Sequence, residues 1–218
     1  MNVVIDLESI PGASQYAQDE YEAYCETIHP PGNYKKPETI AKWMDENAPA
    51  LREEYRHKQG LSAATGQIIT IGIKVDGSPV ECGTVRDSSE GDMLQSFIDE
   101  IDMYIGRPMF IGHNIIQFDL PYIWRRCKIL GVATPSWLPS PADLKPWSDN
   151  VFDTMVAWSG PRDRISLDRL CRIFGIDGKD GMDGSDVWEY YKAGRLEEIE
   201  AYCASDVEKT WRVYEALK

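Results

Sequence analysis

Three short stretches of this 218-residue chain carry side chains whose types and spacing could do chemistry. Asp6 and Glu8 lie two apart at the end of the apolar run Val3-Val4-Ile5. The two-residue period of a strand turns both carboxylates to one face, where two hard oxygen ligands converge. A D-x-E after an apolar run says little alone, because acids often simply end strands at the solvent edge. The second stretch, Gly112-His113-Asn114-Ile115-Ile116-Gln117-Phe118-Asp119, runs from a strand end through a polar turn to a helix start that bears Asp119. An aspartate there also serves as a cap or complements the helix dipole, and His113 and Asn114 also suit a plain turn. In the third, Tyr202 and Asp206 lie four apart, which stacks phenol and carboxylate on one helix face. Leu196, Ile199 and Trp211 make that face suited to burial, where a carboxylate is costly unless it is paired or binds a metal.

The elements that must position these residues follow from the apolar patterning. Residues 2–7 read as a short buried strand, 67–75 as a β-branched second strand and 80–85 as a third, after the turn Asp76-Gly77-Ser78-Pro79. Ser89 and Glu90 cap a helix whose Met93, Leu94, Phe97, Ile98 and Ile101 keep the helical period. A compact strand at 109–112 precedes a helix over 118–130, with Pro121 in its first turn and Gly131 after its end. A Pro- and Ser-rich loop over 129–147 leads to a short strand at 150–154; Ser166 caps a further helix, and 195–217 form a long terminal one. Strands alternating with helices in a chain of this length predict one α/β domain over 1–218 whose two halves share one sheet. Residues 9–65 form a largely helical insertion between the first two strands. Pro49 is expected to break or kink the helical segment that carries Ile40, Trp43, Met44, Leu51 and Tyr55. The insertion reads equally as a lid or as a packing element.

Composition narrows the possible functions. With 43% hydrophobic residues the chain can bury a substantial core. No basic leader precedes a long apolar stretch, and the longest apolar charge-free run, 61–73, is too short to span a bilayer; a soluble cytoplasmic protein with no membrane association is the expectation. Five cysteines without a C-x-x-C pair argue against a disulfide framework and a thiolate zinc site. His29, His57 and His113 are too scattered for a histidine zinc site. A net charge of −13 counts against broad nonspecific binding of duplex nucleic acid. It leaves room for a small footprint, because bound divalent cations supply positive charge locally. The charge is also segregated: the first thirty residues hold no Lys or Arg, whereas 122–175 hold eight basic residues against five acidic ones.

Together, D-x-E, then N-x-x-x-F-D, then Y-x-x-x-D resemble the three exonuclease motifs of the DEDD superfamily in its tyrosine variety. The chain looks most like the predicted 3′-to-5′ exonucleases related to the proofreading domain of family B DNA polymerases, phage-type members included. Gly184-Ser185-Asp186-Val187-Trp188 and Gly194-Arg195-Leu196-Glu197-Glu198-Ile199 add to the likeness. The resemblance implies a ribonuclease-H-like mixed sheet flanked by helices. It also implies two divalent metal ions, Mg2+ or Mn2+, held by Asp6, Glu8, Asp119 and Asp206. Tyr202 would orient the nucleophilic water or assist its activation. Asn114 and Phe118 would contact the terminal nucleotide, by hydrogen bond and by stacking, although turn and core roles serve them as well. The implied substrate is the 3′ end of a nucleic acid, single-stranded DNA before RNA, with release of nucleoside 5′-monophosphates.

Other readings compete. A catalytically weak nuclease-like module that only binds nucleic acid would keep the fold without turnover. A haloacid-dehalogenase-like phosphohydrolase has a strand-end D-x-D, but Glu8 departs from it and the Tyr202–Asp206 pair has no role there. The loop 175–184 spaces its acids every third residue, unlike an EF-hand, and fits better as a loop near substrate, where Lys179 could touch a phosphate. Asp153 reads as an auxiliary acid or as a strand-end hydrogen-bond acceptor. Tyr16, Tyr21 and Tyr24 read first as packing residues, and Arg162, Arg164, Arg169 and Arg172 as a solvated face or a guide for a nucleic-acid backbone.

Overall fold

The computed structural model describes residues 1–86, 88–104, 106–177 and 181–218, so Lys179 lies outside the described residues. The opening apolar run forms β1 (Asn2–Pro11). Two helices follow, α1 (Gln15–Thr27), capped by Ser14, and α2 (Pro37–Gly60). Next come β2 (Gly66–Val75), β3 (Glu81–Thr84) and α3 (Glu90–Asp102), in which all five predicted apolar positions are buried. Strand β4 (Met109–Gly112) leads to α4 (Asp119–Leu130), closed by Gly131 in the left-handed region, and β5 (Val151–Asp153) leads to α5 (Thr154–Ser159). The C-terminal part carries α6 (Leu167–Phe174), capped by Ser166, a 3-10 turn at Gly184–Asp186, α7 (Val187–Lys192) and the long α8 (Leu196–Leu217). Among the described residues no helix is long and apolar enough to cross a membrane.

The strands form one mixed sheet in the order β3-β2-β1-β4-β5. β1 runs parallel to β4 with Val4 opposite Ile111, and β4 runs parallel to β5 with Gly112 opposite Asp153. β4 and β5 therefore end on one edge of the sheet, the edge where α/β proteins place their ligands, while β1 runs past it to Pro11. β3 pairs antiparallel with β2, with Gly72 opposite Cys82. Strand alternation sorts the helices. A Cβ on Gly72 would lie 2.8 Å from Val207 Cγ2 and 3.1 Å from Cys203 Sγ, so α8 covers that face; one on Gly83, the next residue after Cys82, would meet Met93 of α3 on the other. Val4, Ile111, Val207 and Tyr214 make a buried cluster beneath α8, and Glu90 joins the second face to β2. Its carboxylate accepts from Ile68 N at 2.8 Å and from both Arg126 Nε and Nη2, at 2.8 and 2.6 Å.

The chain divides into two compact units, residues 1–8 with 68–218, and residues 9–67. In the second unit Tyr24 stacks on Tyr55 with centroids 3.9 Å apart, and Arg56 lies over Tyr21. Gln59 Nε2 donates to the Ala17 carbonyl at 2.7 Å. Tyr21 and Tyr24 are thus packing residues, while Tyr16 is exposed. Helix α2 continues through Pro49, against the expected break. A proline removes one backbone donor, costing about 3 kcal/mol, which a helix of 24 residues absorbs when its neighbours keep their bonds. Helices α5 and α7 escape the pattern reading, because six residues are too few to show a period.

Gly112 lets β4 turn sharply into the following segment: a Cβ there would lie 2.6 Å from Ile115 Cβ. Gly112→Ala should therefore cost about 1–3 kcal/mol in denaturant melts, as overpacking does; an unchanged midpoint would show that the turn relaxes freely.

Candidate active site

Asp6 and Glu8 lie inside β1 and not at its end, because the strand runs on to Pro11; they follow the stretch Asn2 to Val4 that pairs with β4. Helix α4 brings Asp119 to them, near enough to the backbone N–H groups of Leu7 and of Asp119 itself that both favour its ionised form. Helix α8 brings Tyr202 and Asp206, and Cys203 between them donates Sγ–H to the Asp6 carbonyl at 3.5 Å. The bare Cα of Gly72 permits this close approach. The phenol of Tyr202 lies beside Asp206, within reach of its charge. Five residues spread over two hundred positions thus meet at one end of the sheet.

The electrostatics record the crowding. Burial, then the charges of Glu8, Asp119 and Asp206, push Asp6 well above the usual carboxylate range. Burial, then Asp206, Asp119 and Asp183, do the same to Glu8. Burial pushes Asp119 up to about 7, against the two backbone N–H donors. Burial and the charges of Asp206, Glu8 and Asp6 drive the Tyr202 phenol far upward, so it stays protonated. Asp6 Oδ2 is buried with no hydrogen-bond partner. All-oxygen donors with an unsatisfied buried oxygen fit a hard divalent cation. Among the described residues, no three His, Cys, Asp or Glu side chains are drawn around a single point. Asp206 instead has a cation from the chain itself: Lys209 Nζ, 2.8 Å from its Oδ1.

The turn before α4 is built on Asp153. Its Oδ1 accepts from Asn114 N at 3.0 Å and its Oδ2 from Ile116 N at 3.2 Å, and Oδ1 also caps α5 through Met155 N and Val156 N. The strand-end acceptor reading of Asp153 is the one observed. Asn114 takes φ +63°, which asparagine tolerates better than most residues. Its Oδ1 is buried and unpartnered, and Phe118 packs on Tyr122 with centroids 5.4 Å apart. His113 bridges Thr154 Oγ1 at 2.9 Å and the Ile165 carbonyl at 2.8 Å; since a carbonyl only accepts, Nε2 carries the proton, and burial lowers the ring's pKa.

A cleft of about 340 Å³ adjoins the acids, lined by Asp168, Asp183 and Asp186 together with Tyr202, Asp206 and Lys209. The described end of the loop 175–184, Gly181 to Asp183, lines this cleft, whereas Asn114 and Phe118 do not. Lys209 and Asp183 escaped the sequence reading. The signal for Lys209 was its i,i+3 spacing from Asp206.

Residues 65–218 match the family described as predicted 3′-5′ exonucleases related to the exonuclease domain of PolB. No curated protein matches the chain. Among solved structures, the family B DNA polymerase of the hyperthermophilic archaeon Pyrobaculum calidifontis is similar over 99% of this chain, with a TM-score of 0.61 and 18% identity. The chain spans only 24% of that polymerase's length. The likeness shows the fold, a ribonuclease-H-like sheet with flanking helices.

An acid whose folded pKa lies above its unfolded value of 3.8 binds its proton more tightly in the native state. Its stabilisation is complete below that value and is lost as the pH rises through about 7. In EDTA the melting temperature should therefore fall between these limits, with Asp6 and Glu8 acting in the same direction, and Asp119→Asn should flatten the slope. Parallel melting profiles for the two proteins would place Asp119 outside the repulsive cluster.

Proposed function

The chain belongs to the family of predicted 3′-5′ exonucleases related to the exonuclease domain of PolB, and on that basis we propose that it is a metal-dependent 3′-to-5′ exonuclease of the tyrosine type. Its substrate is the 3′ end of a nucleic acid, single-stranded DNA before RNA, and its products are nucleoside 5′-monophosphates. The observation that carries this reading is the buried group of Asp6, Glu8, Asp119 and Asp206, which repel one another and leave Asp6 Oδ2 unsatisfied. These four would hold two divalent cations, Mg2+ or Mn2+, which when bound acidify water and neutralise charge developing at phosphorus.

The chain's own residues supply the rest. Tyr202, protonated in the metal-free chain, would orient the attacking water beside Asp206 or assist its activation. Asp153 fixes the turn that delivers Asp119, which makes it a positioning residue. Asn114, with its buried unpartnered oxygen, and Phe118, half-buried at the head of α4, are the candidates to meet the terminal nucleotide.

Digestion of 5′-labelled DNA and RNA oligonucleotides with free or blocked 3′ ends, in EDTA and in Mn2+, tests the reaction. A ladder that needs both Mn2+ and a free 3′ end is expected; binding without product, or cutting of blocked substrates, would overturn it. Replacing Asp119 or Asp206 by Ala should lower turnover beyond the ~10–100-fold typical of outer-shell changes. Tyr202→Phe should lower kcat by about a hundredfold with Mn2+ affinity retained. Unchanged single-turnover rates in folded protein would remove the substituted residue from the mechanism.

A further inference from the structure

The ammonium of Lys209 is held inside the proposed centre. Its side chain is 8% exposed, that of its partner Asp206 is 16% exposed, and the Nζ–Oδ1 separation is 2.8 Å. Both lie on α8, one turn apart, and both line the cleft with Tyr202. A buried ammonium persists only where a carboxylate compensates it. Conversely, Asp206 belongs to a cluster of like charges that it helps to crowd at Asp6 and Glu8, and Lys209 is the cation paired with it. An ammonium and a dication cannot share one carboxylate without strong mutual repulsion at contact distance. The centre therefore has two ways to neutralise Asp206, one built into the chain and one taken from solution.

Resting on the metal-centre reading above, we propose that Lys209 is the resident counter-ion of Asp206. It occupies that carboxylate while no divalent ion is bound and yields it when one binds, so it sets the cation concentration that the site demands. The displaced ammonium need not enter apolar surroundings. Asp168 lines the same cleft, and its Oδ1 is buried without a hydrogen-bond partner. Lys209 is in this sense a positioning residue: it acts through Asp206 and not on the substrate.

The test is Mn2+ binding by calorimetry, on the full chain without nucleic acid. Lys209→Met keeps the aliphatic stem without the charge and should bind Mn2+ about tenfold more tightly, the scale of one charge-assisted hydrogen bond that no longer competes. Lys209→Arg, which keeps the charge, should stay at wild-type affinity. Equal or weaker binding by folded Lys209→Met overturns the inference and leaves the metal centre standing. A wild-type protein that takes up no Mn2+ overturns the metal centre, and the inference with it. In the unsubstituted protein the ¹⁵N resonance of the Lys209 ammonium gives a second readout. Mg2+ should shift it and speed its exchange with water; an ammonium unmoved at saturating Mg2+ overturns the exchange whatever the variants do.

Discussion

Four carboxylates confined at one end of a sheet repel one another, and burial makes the repulsion worse by withdrawing the water that would screen it. Asp6, Glu8 and Asp119 respond by holding their protons far more tightly than free acids do. Two local interactions keep the cluster from costing more. The backbone N–H groups near Asp119 favour its charged form, and Lys209 pairs with Asp206. An arrangement so unfavourable without compensating charge makes physical sense where a cation completes it, and that links the fold's energetics to the proposed chemistry.

Closeness is bought with small residues and backbone hydrogen bonds. Gly72 lets Val207 and Cys203 sit against β2, which sets the depth of α8 and hence of Tyr202 and Asp206. Gly112 lets Ile115 fold back on the end of β4, and Asp153 holds the segment between that glycine and Asp119 by two backbone N–H groups while two others tie it to α5. A shift of one of these would move a carboxylate by an ångström or more, enough to change how the cluster shares charge. The positioning residues are therefore as informative about the site as the acids themselves.

The strongly acidic balance of the chain extends to the cleft, where Asp168, Asp183 and Asp186 join Asp206. On the proposed reading this disfavours a long nucleic-acid track and leaves recognition to the chain end, with bound cations supplying the attraction that lysines and arginines supply elsewhere. The unit formed by residues 9–67 has its own internal logic of stacked tyrosines and a buried glutamine bonded to backbone.

Much of this was legible in the residues. Apolar period placed all five strands and helices α3, α4, α6 and α8, because those patterns reflect one-sided burial and survive without knowledge of neighbours, whereas the helical pattern of 9–65 gave α1 no bounds and expected α2 in two pieces. The chemical groups Asp6, Glu8, Asp119, Tyr202 and Asp206 stood out by type and spacing, and three separate stretches shared one motif logic. What only tertiary structure decided is who meets whom: that β1 lies between β2 and β4, that α8 sets Cys203 against Asp6 and so brings Tyr202 and Asp206 to the acids of β1, and that Asp153 is a hub of backbone bonds. Local pattern reports which face a residue turns inward. Contacts between residues a hundred or more positions apart depend on how whole elements pack, and no window of sequence contains both partners.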